Sequence, residues 1–128
     1  MTRKRAEMIA LRVIDWCSKE YGWSEYHRKK SVLLEIQYQS DTHKGTYGEF
    51  DREEIMIYVF TRTNRSVRCL VNTVIHEYQH YLQCPQWVSR YIEKYGDGWK
   101  NPYEYKAETV ADSDTKKCMM ELKFYHMY

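Results

Sequence analysis

The stretch Asn64–Gln83, NRSVRCLVNTVIHEYQHYLQ, decides the fold because it carries a long helical pattern. Its apolar residues recur three and four positions apart, as on one side of a helix. They are Leu70, Val71, Val74, Ile75, Tyr78, Tyr81 and Leu82. Pro85 follows shortly and ends the pattern. We therefore predict an amphipathic helix whose apolar side packs into the core.

The same helix carries the pattern H-E-x-x-H, from His76 to His80. Each residue of an α-helix turns by about 100°, so His76 and His80 share one face and both imidazoles can reach one tetrahedral zinc ion. Glu77 lies about 100° further round, where its carboxylate can take a proton from a zinc-held water as that water attacks a carbonyl. We predict zinc ligands at His76 and His80, with Glu77 as general base.

A catalytic zinc ion usually has three protein ligands, so a further residue must complete the site. The extension H-x-x-G-x-x-H is absent, because Gln83 and Gln86 stand where glycine and histidine are needed. That excludes the metzincin type. The other histidines, His27, His43 and His126, lack a helical partner that would direct them to the site. The third ligand is therefore expected to be a carboxylate.

Three carboxylates lie four residues apart on the last predicted helix: Glu104, Glu108 and Asp112. Asn101 begins this helix as its N-cap, and Glu104 stands where a capping-box partner is expected. Because Glu104 then has a structural role, Glu108 is the favoured zinc ligand. Asp112 would accept the free ring N–H of a ligating histidine, for which His76 is the better placed.

The remaining sequence predicts helices flanking a small antiparallel sheet. The predicted elements are a helix at 5–21, strands at 32–38, 46–50 and 54–60, the motif helix at 64–83, a short helix at 88–95 and a helix from 101 to 122. This order is typical of an α+β arrangement. With 128 residues in all, a single domain over 1–128 is expected.

Composition narrows the possible partners and compartment. A net charge of +2 gives no indication of nucleic-acid binding, although short basic runs such as Arg3–Arg5 exist. The four cysteines form no C-x-x-C pair, which argues against a zinc ribbon. Arg12 and Asp15 interrupt the only apolar run near the start, and no segment reaches the roughly 20 apolar residues of a membrane span. We expect a cytoplasmic chain with free, mostly buried thiols and no membrane association.

The motif His76-Glu77-x-x-His80 followed by Glu108-x-x-x-Asp112 resembles the gluzincin pattern of the thermolysin-like metallopeptidases. At this length the chain looks like the compact minigluzincins and the ImmA/IrrE-type peptidase domains. The resemblance covers about residues 54–122. It implies zinc ligands His76, His80 and Glu108, general base Glu77, and Asp112 behind the ligands. It also implies a zincin-like fold, in which a twisted sheet lies over the motif helix and its edge strand pairs with an extended substrate.

The expected function is a zinc-dependent metallopeptidase that hydrolyses peptide bonds in a peptide or protein substrate. The alternative is a zinc-binding regulatory or partner-binding protein with little general proteolysis, because no oxyanion-stabilising residue can be chosen. The open candidates are Tyr95, Tyr103, Tyr105 and His126. SprT-like proteases that act near DNA are a third reading, but they generally use a third histidine, and none follows His80 suitably. Oligomeric state stays open.

Overall fold

In the computed structural model, residues 1–27, 31–96 and 101–124 are described. These residues form four helices and one three-stranded sheet. In chain order they are α1 (Arg3–Tyr21), β1 (Leu33–Gln37), β2 (Gly48–Asp51), β3 (Met56–Phe60), α2 (Val67–Leu82), α3 (Pro85–Tyr95) and α4 (Pro102–Glu121). The predicted α+β class is confirmed. Of the residues discussed above, His126 lies outside the described ranges.

The sheet has the order β1-β3-β2, with β3 in the centre. β2 pairs with β3 in antiparallel fashion, whereas β1 pairs with β3 in parallel. The prediction of a wholly antiparallel sheet was therefore wrong. A parallel pair needs a long crossover between its strands, and residues 38–55 supply one that includes β2. Ile36 of β1 lies beside Val59 of β3, so the parallel register brings buried apolar residues together.

The core lies between α1, α2 and the sheet. The side chain of Thr2 caps α1 by accepting a hydrogen bond from the backbone N–H of Arg5. At the other end, Gly22 adopts a positive φ of 82° and ends the helix. The hydroxyl of Tyr78 on α2 donates to the carbonyl of Gly22 at 2.6 Å. This bond ties the C-terminal half of α2, which carries the motif, to the end of α1.

α4 packs against α2 and runs antiparallel to it. Near the middle of α2, the side-chain amide of Asn72 donates to Asp112 at 2.9 Å and to Thr115 at 3.2 Å. Further along α2, His80 contacts Glu104 in the first turn of α4. The two helices are therefore antiparallel, and the first turn of α4 packs beside the last turns of α2. Within the described ranges, no helix is long and apolar enough to span a membrane.

Candidate metal centre

His76 and His80 project from the same face of α2, one turn apart. Their ring centroids are 5.0 Å apart. The N-cap of this helix is Ser66, whose hydroxyl accepts a hydrogen bond from the backbone N–H of Cys69 at 3.1 Å. His80 is buried, with 6% of its surface exposed, while His76 is partly open to solvent. The two imidazoles are therefore presented together by a rigid element, as helical spacing predicts.

Glu104 is the carboxylate that meets these histidines. Its Oε1 atom lies 3.7 Å from Nε2 of His76 and makes a close contact with Nε2 of His80. Each of the three residues offers a ligand atom, and these atoms all lie within 4.8 Å of one another. Two imidazole nitrogens and one carboxylate oxygen at such separations form a candidate metal site.

The structure brings Glu104 rather than Glu108 to the histidines, which corrects the favoured ligand. Asn101 makes no side-chain capping bond. Its amide instead donates to the carbonyl of Gly96 and to the hydroxyl of Tyr103, both at 2.9 Å. Glu104 therefore has no capping side chain opposite it and points to the histidines. Glu108 is exposed one turn further along α4 and lies outside the cluster of ligand atoms.

Asp112 also differs from its predicted role. It accepts a hydrogen bond from Asn72, and the described contacts give it none with His76. The antiparallel packing of the helices explains this difference. Asp112 lies two turns beyond Glu104 on α4 and therefore stands opposite Asn72, one turn before His76 on α2. The bond between Asp112 and Asn72 therefore joins α4 to α2 and does not orient the ring of His76.

Gln83 contacts the site, a role that the sequence pattern did not predict. Its Oε1 atom lies 2.9 Å from Nδ1 of His80, and its Nε2 group donates to the carbonyl of Tyr103 at 2.8 Å. Gln83 is the C-cap residue of α2 and has an extended backbone. Its position three residues after a helical histidine was the signal available in the sequence.

Glu77 lies beside the cluster and is 6% exposed. Its Oε2 atom is buried and has no hydrogen-bond partner among the described residues. Burial raises the pKa of the Glu77 carboxyl, and the neighbouring His80 and His76 only partly offset that effect. A buried carboxylate oxygen without a partner is costly, so this position favours a polar ligand such as water.

The charges of Glu104 and His80 support each other. Burial alone would raise the pKa of Glu104, but hydrogen bonds from His76 and His80 outweigh it and hold that pKa well below its usual range. Burial alone would lower the pKa of His80, but the contact with Glu104 raises it above its usual value. Glu104 is therefore an ionised carboxylate and can serve as a ligand to a cation.

A cleft of about 850 Å³ opens beside the cluster. It is bounded by the start of β2, by one face of α2 and by α4. The lining residues are Thr46, Tyr47, Gly48, Ser66, Arg68, Cys69, Asn72, Thr73, His76, Glu77, Glu104, Glu108, Asp112 and Thr115. Both His76 and Glu77 therefore face a space of the size that small ligands and peptides occupy.

The opposite side of the cluster is packed with aromatic rings. The ring of Tyr103 lies 6.2 Å from that of His80, and Trp87 and Tyr91 of α3 pack on Tyr103 at 6.3 and 6.1 Å. The hydroxyl of Tyr103 accepts the bond from Asn101, so this tyrosine serves the packing around the site. The cluster is thus covered near His80 and open near His76.

Two further predicted oxyanion candidates lie away from the cleft. Tyr95 and Tyr105 are exposed, and neither belongs to the residues that line it. Tyr47 does line the cleft and is half exposed. Tyr47 could not be found from the sequence, because it precedes a short strand and no pattern links it to the motif helix.

The residues present fit a metal ion. The donor set combines two imidazoles with one carboxylate, as in catalytic zinc sites that keep a fourth position open. The buried Oε2 atom of Glu77 lies beside that set without a partner. No protein-family model matches the chain, and comparisons with curated proteins and with solved structures give no match either.

Proposed function

We propose that this chain is a zinc-dependent peptidase, with zinc held by His76, His80 and Glu104. One observation carries the proposal. The ligand atoms of these three residues lie within 4.8 Å of one another, beside the buried carboxylate of Glu77, whose Oε2 atom has no partner among the described residues. Both features border the same cleft. A metal site, an adjacent base and room for a substrate are the parts that hydrolysis requires.

Each residue has a separate chemical role in this proposal. Zinc in the site would polarise a substrate carbonyl and make a water molecule more acidic. Glu77 would accept a proton from the attacking water and deliver it to the amine that leaves. Its place next to His76 in the sequence, but outside the cluster of ligand atoms, suits a base better than a ligand.

The edge of the sheet offers a place for a peptide backbone. β2 stands at the end of the strand order and has one strand neighbour, β3, among the described residues. The segment from Thr46 to Gly48 lines the cleft. An extended peptide could therefore add to this edge and present a carbonyl to the site. The proposed substrate is accordingly a peptide or an unfolded segment of a protein.

The variant Glu77→Gln tests the proposed base. It should retain one zinc ion per chain and lose about 10²- to 10⁴-fold in peptide hydrolysis, because the amide cannot take a proton. Glu93→Gln is the matched control, since Glu93 is exposed on α3 away from the cleft. It should behave as the unaltered protein does. Unchanged hydrolysis by the Glu77 variant would remove the assigned role.

A second candidate function is a zinc-binding regulatory protein with little general proteolysis. The observation in its favour concerns the predicted oxyanion-stabilising residues. The Tyr103 hydroxyl is bonded to Asn101 in the packing around the site, and Tyr95 and Tyr105 lie away from the cleft. Tyr47 alone among the tyrosines of the described ranges lines the cleft. A panel of unrelated peptides distinguishes the two functions. Cleavage of several peptides supports the peptidase, and full zinc content without cleavage supports the regulator.

A further inference from the structure

The side-chain amide of Gln83 has a defined orientation. Its Nε2 group lies 2.8 Å from the carbonyl oxygen of Tyr103, and a carbonyl oxygen can only accept. The amide hydrogens must therefore point to Tyr103. That arrangement turns Oε1 of Gln83 towards Nδ1 of His80, at 2.9 Å.

The orientation of Gln83 decides which nitrogen of His80 carries a hydrogen. An amide oxygen only accepts, so Nδ1 of His80 must donate to it. Nε2 is then the nitrogen left to act as a ligand, and it is the atom that faces Glu104. Because Gln83 and His80 are 9% and 6% exposed, water has little access to compete for this bond.

The same amide connects two parts of the candidate site. Gln83 follows α2, which carries His80, and its other bond goes to the residue immediately before Glu104. One side chain thus links the end of one ligand-bearing helix to the first turn of the other. His76 differs, since the described contacts give its Nδ1 atom no partner and part of its side chain is exposed.

We propose that Gln83 is a positioning residue that fixes the His80 ring with Nε2 towards the metal and holds the first turn of α4 beside it. The inference rests on the proposed zinc site and adds a residue that the motif does not contain. Residues that orient a histidine ligand in this way typically change metal affinity about 10- to 100-fold when they are lost.

Zinc affinity, measured by competition with a chromogenic chelator, tests the proposal. Gln83→Met keeps the length of the side chain but removes both bonds, so its Kd for zinc should rise about 10- to 100-fold. Gln83→Glu keeps an acceptor for His80 and loses the bond to Tyr103. Its Kd for zinc should therefore lie between that of the unaltered protein and that of Gln83→Met. Gln79→Met is the matched control, because Gln79 is equally buried on α2 and its Nε2 group has no partner among the described residues.

A second measurement detects the hydrogen bond between His80 and Gln83 in the absence of metal. In the metal-free protein, NMR should show a ring N–H of His80 on Nδ1 that exchanges slowly with solvent, and this signal should vanish in Gln83→Met and persist in Gln79→Met. A hydrogen absent from Nδ1, or unchanged zinc affinity in Gln83→Met, would overturn the proposal. If the unaltered protein bound no zinc, the proposed function would fail instead, so the two failures are distinguishable.

Discussion

Gly48 of the edge strand and Thr73 of the motif helix approach each other so closely that no side chain fits between them. A Cβ atom on Gly48 would lie 2.7 Å from Cγ2 of Thr73 and 3.2 Å from Cγ of Glu77. It would also lie 2.9 Å from the backbone oxygen of Tyr58 on the neighbouring strand. The absence of a side chain at position 48 therefore sets the distance between the sheet edge and the proposed base.

Gly48→Ala should accordingly destabilise the protein by about 1–3 kcal/mol, as overpacking of a filled space does. Urea unfolding measures the change. Gly45→Ala is the control, because nothing lies within 4 Å of a Cβ at that position. Adding Thr73→Ser removes Cγ2 while keeping the hydroxyl that bonds Asn64, so the double variant should recover part of the loss. Equal stability of the Gly48 and Gly45 variants would contradict the close contact.

The helices could be predicted from the sequence because each carries its own periodic pattern. The motif helix was expected at 64–83 and is observed at Val67–Leu82, with His76 and His80 on one face. Helical spacing is a local property that neighbours rarely override in a long amphipathic segment. The helix and the shared face of His76 and His80 therefore followed from the residues alone.

The parallel pairing of β1 and the choice of Glu104 depend on tertiary contacts that no local pattern reports. Strand direction is set by how the β2–β3 pair folds back beside β1. The predicted capping role of Glu104 was wrong because the Asn101 amide bonds to Gly96 and Tyr103, and Glu104 lies beside the histidines. Competition between partners for one side chain is visible only once the chain is folded.

Metal content separates the two glutamates of α4. In the proposed zinc site, Glu104→Ala removes a ligand atom and should abolish zinc binding, whereas Glu108→Ala should retain it. Zinc at 100 times its Kd stabilises a folded protein by about 2.7 kcal/mol, so a chelator should lower the Tm of the unaltered protein and of Glu108→Ala. The Tm of Glu104→Ala should not respond. Zinc loss in Glu108→Ala with retention in Glu104→Ala would reverse the assignment.

The four cysteines are free thiols, and Cys17 of α1 and Cys118 of α4 are completely buried. Burial raises the pKa of Cys118 from the ordinary 9.0 to about 12, and it raises the pKa of Cys17 even further. In the unfolded chain both thiols would ionise near their ordinary value. At a pH between the ordinary and the raised pKa values, the unfolded chain binds fewer protons than the folded protein does. The free energy of unfolding must therefore fall as pH rises through this range.

We therefore expect the free energy of unfolding to be unaffected by these thiols below about pH 8 and to decline from about pH 9 upwards. Unfolding in urea between pH 7 and pH 10 measures the decline, and it stays near or below the range in which ordinary tyrosines ionise. Replacing Cys17 and Cys118 with alanine will cost packing at every pH, but the slope above pH 9 should become shallower. Cys84→Ala, at a half-buried position, is the control. An unchanged slope in the double variant would show that these buried thiols do not drive the alkaline loss of stability.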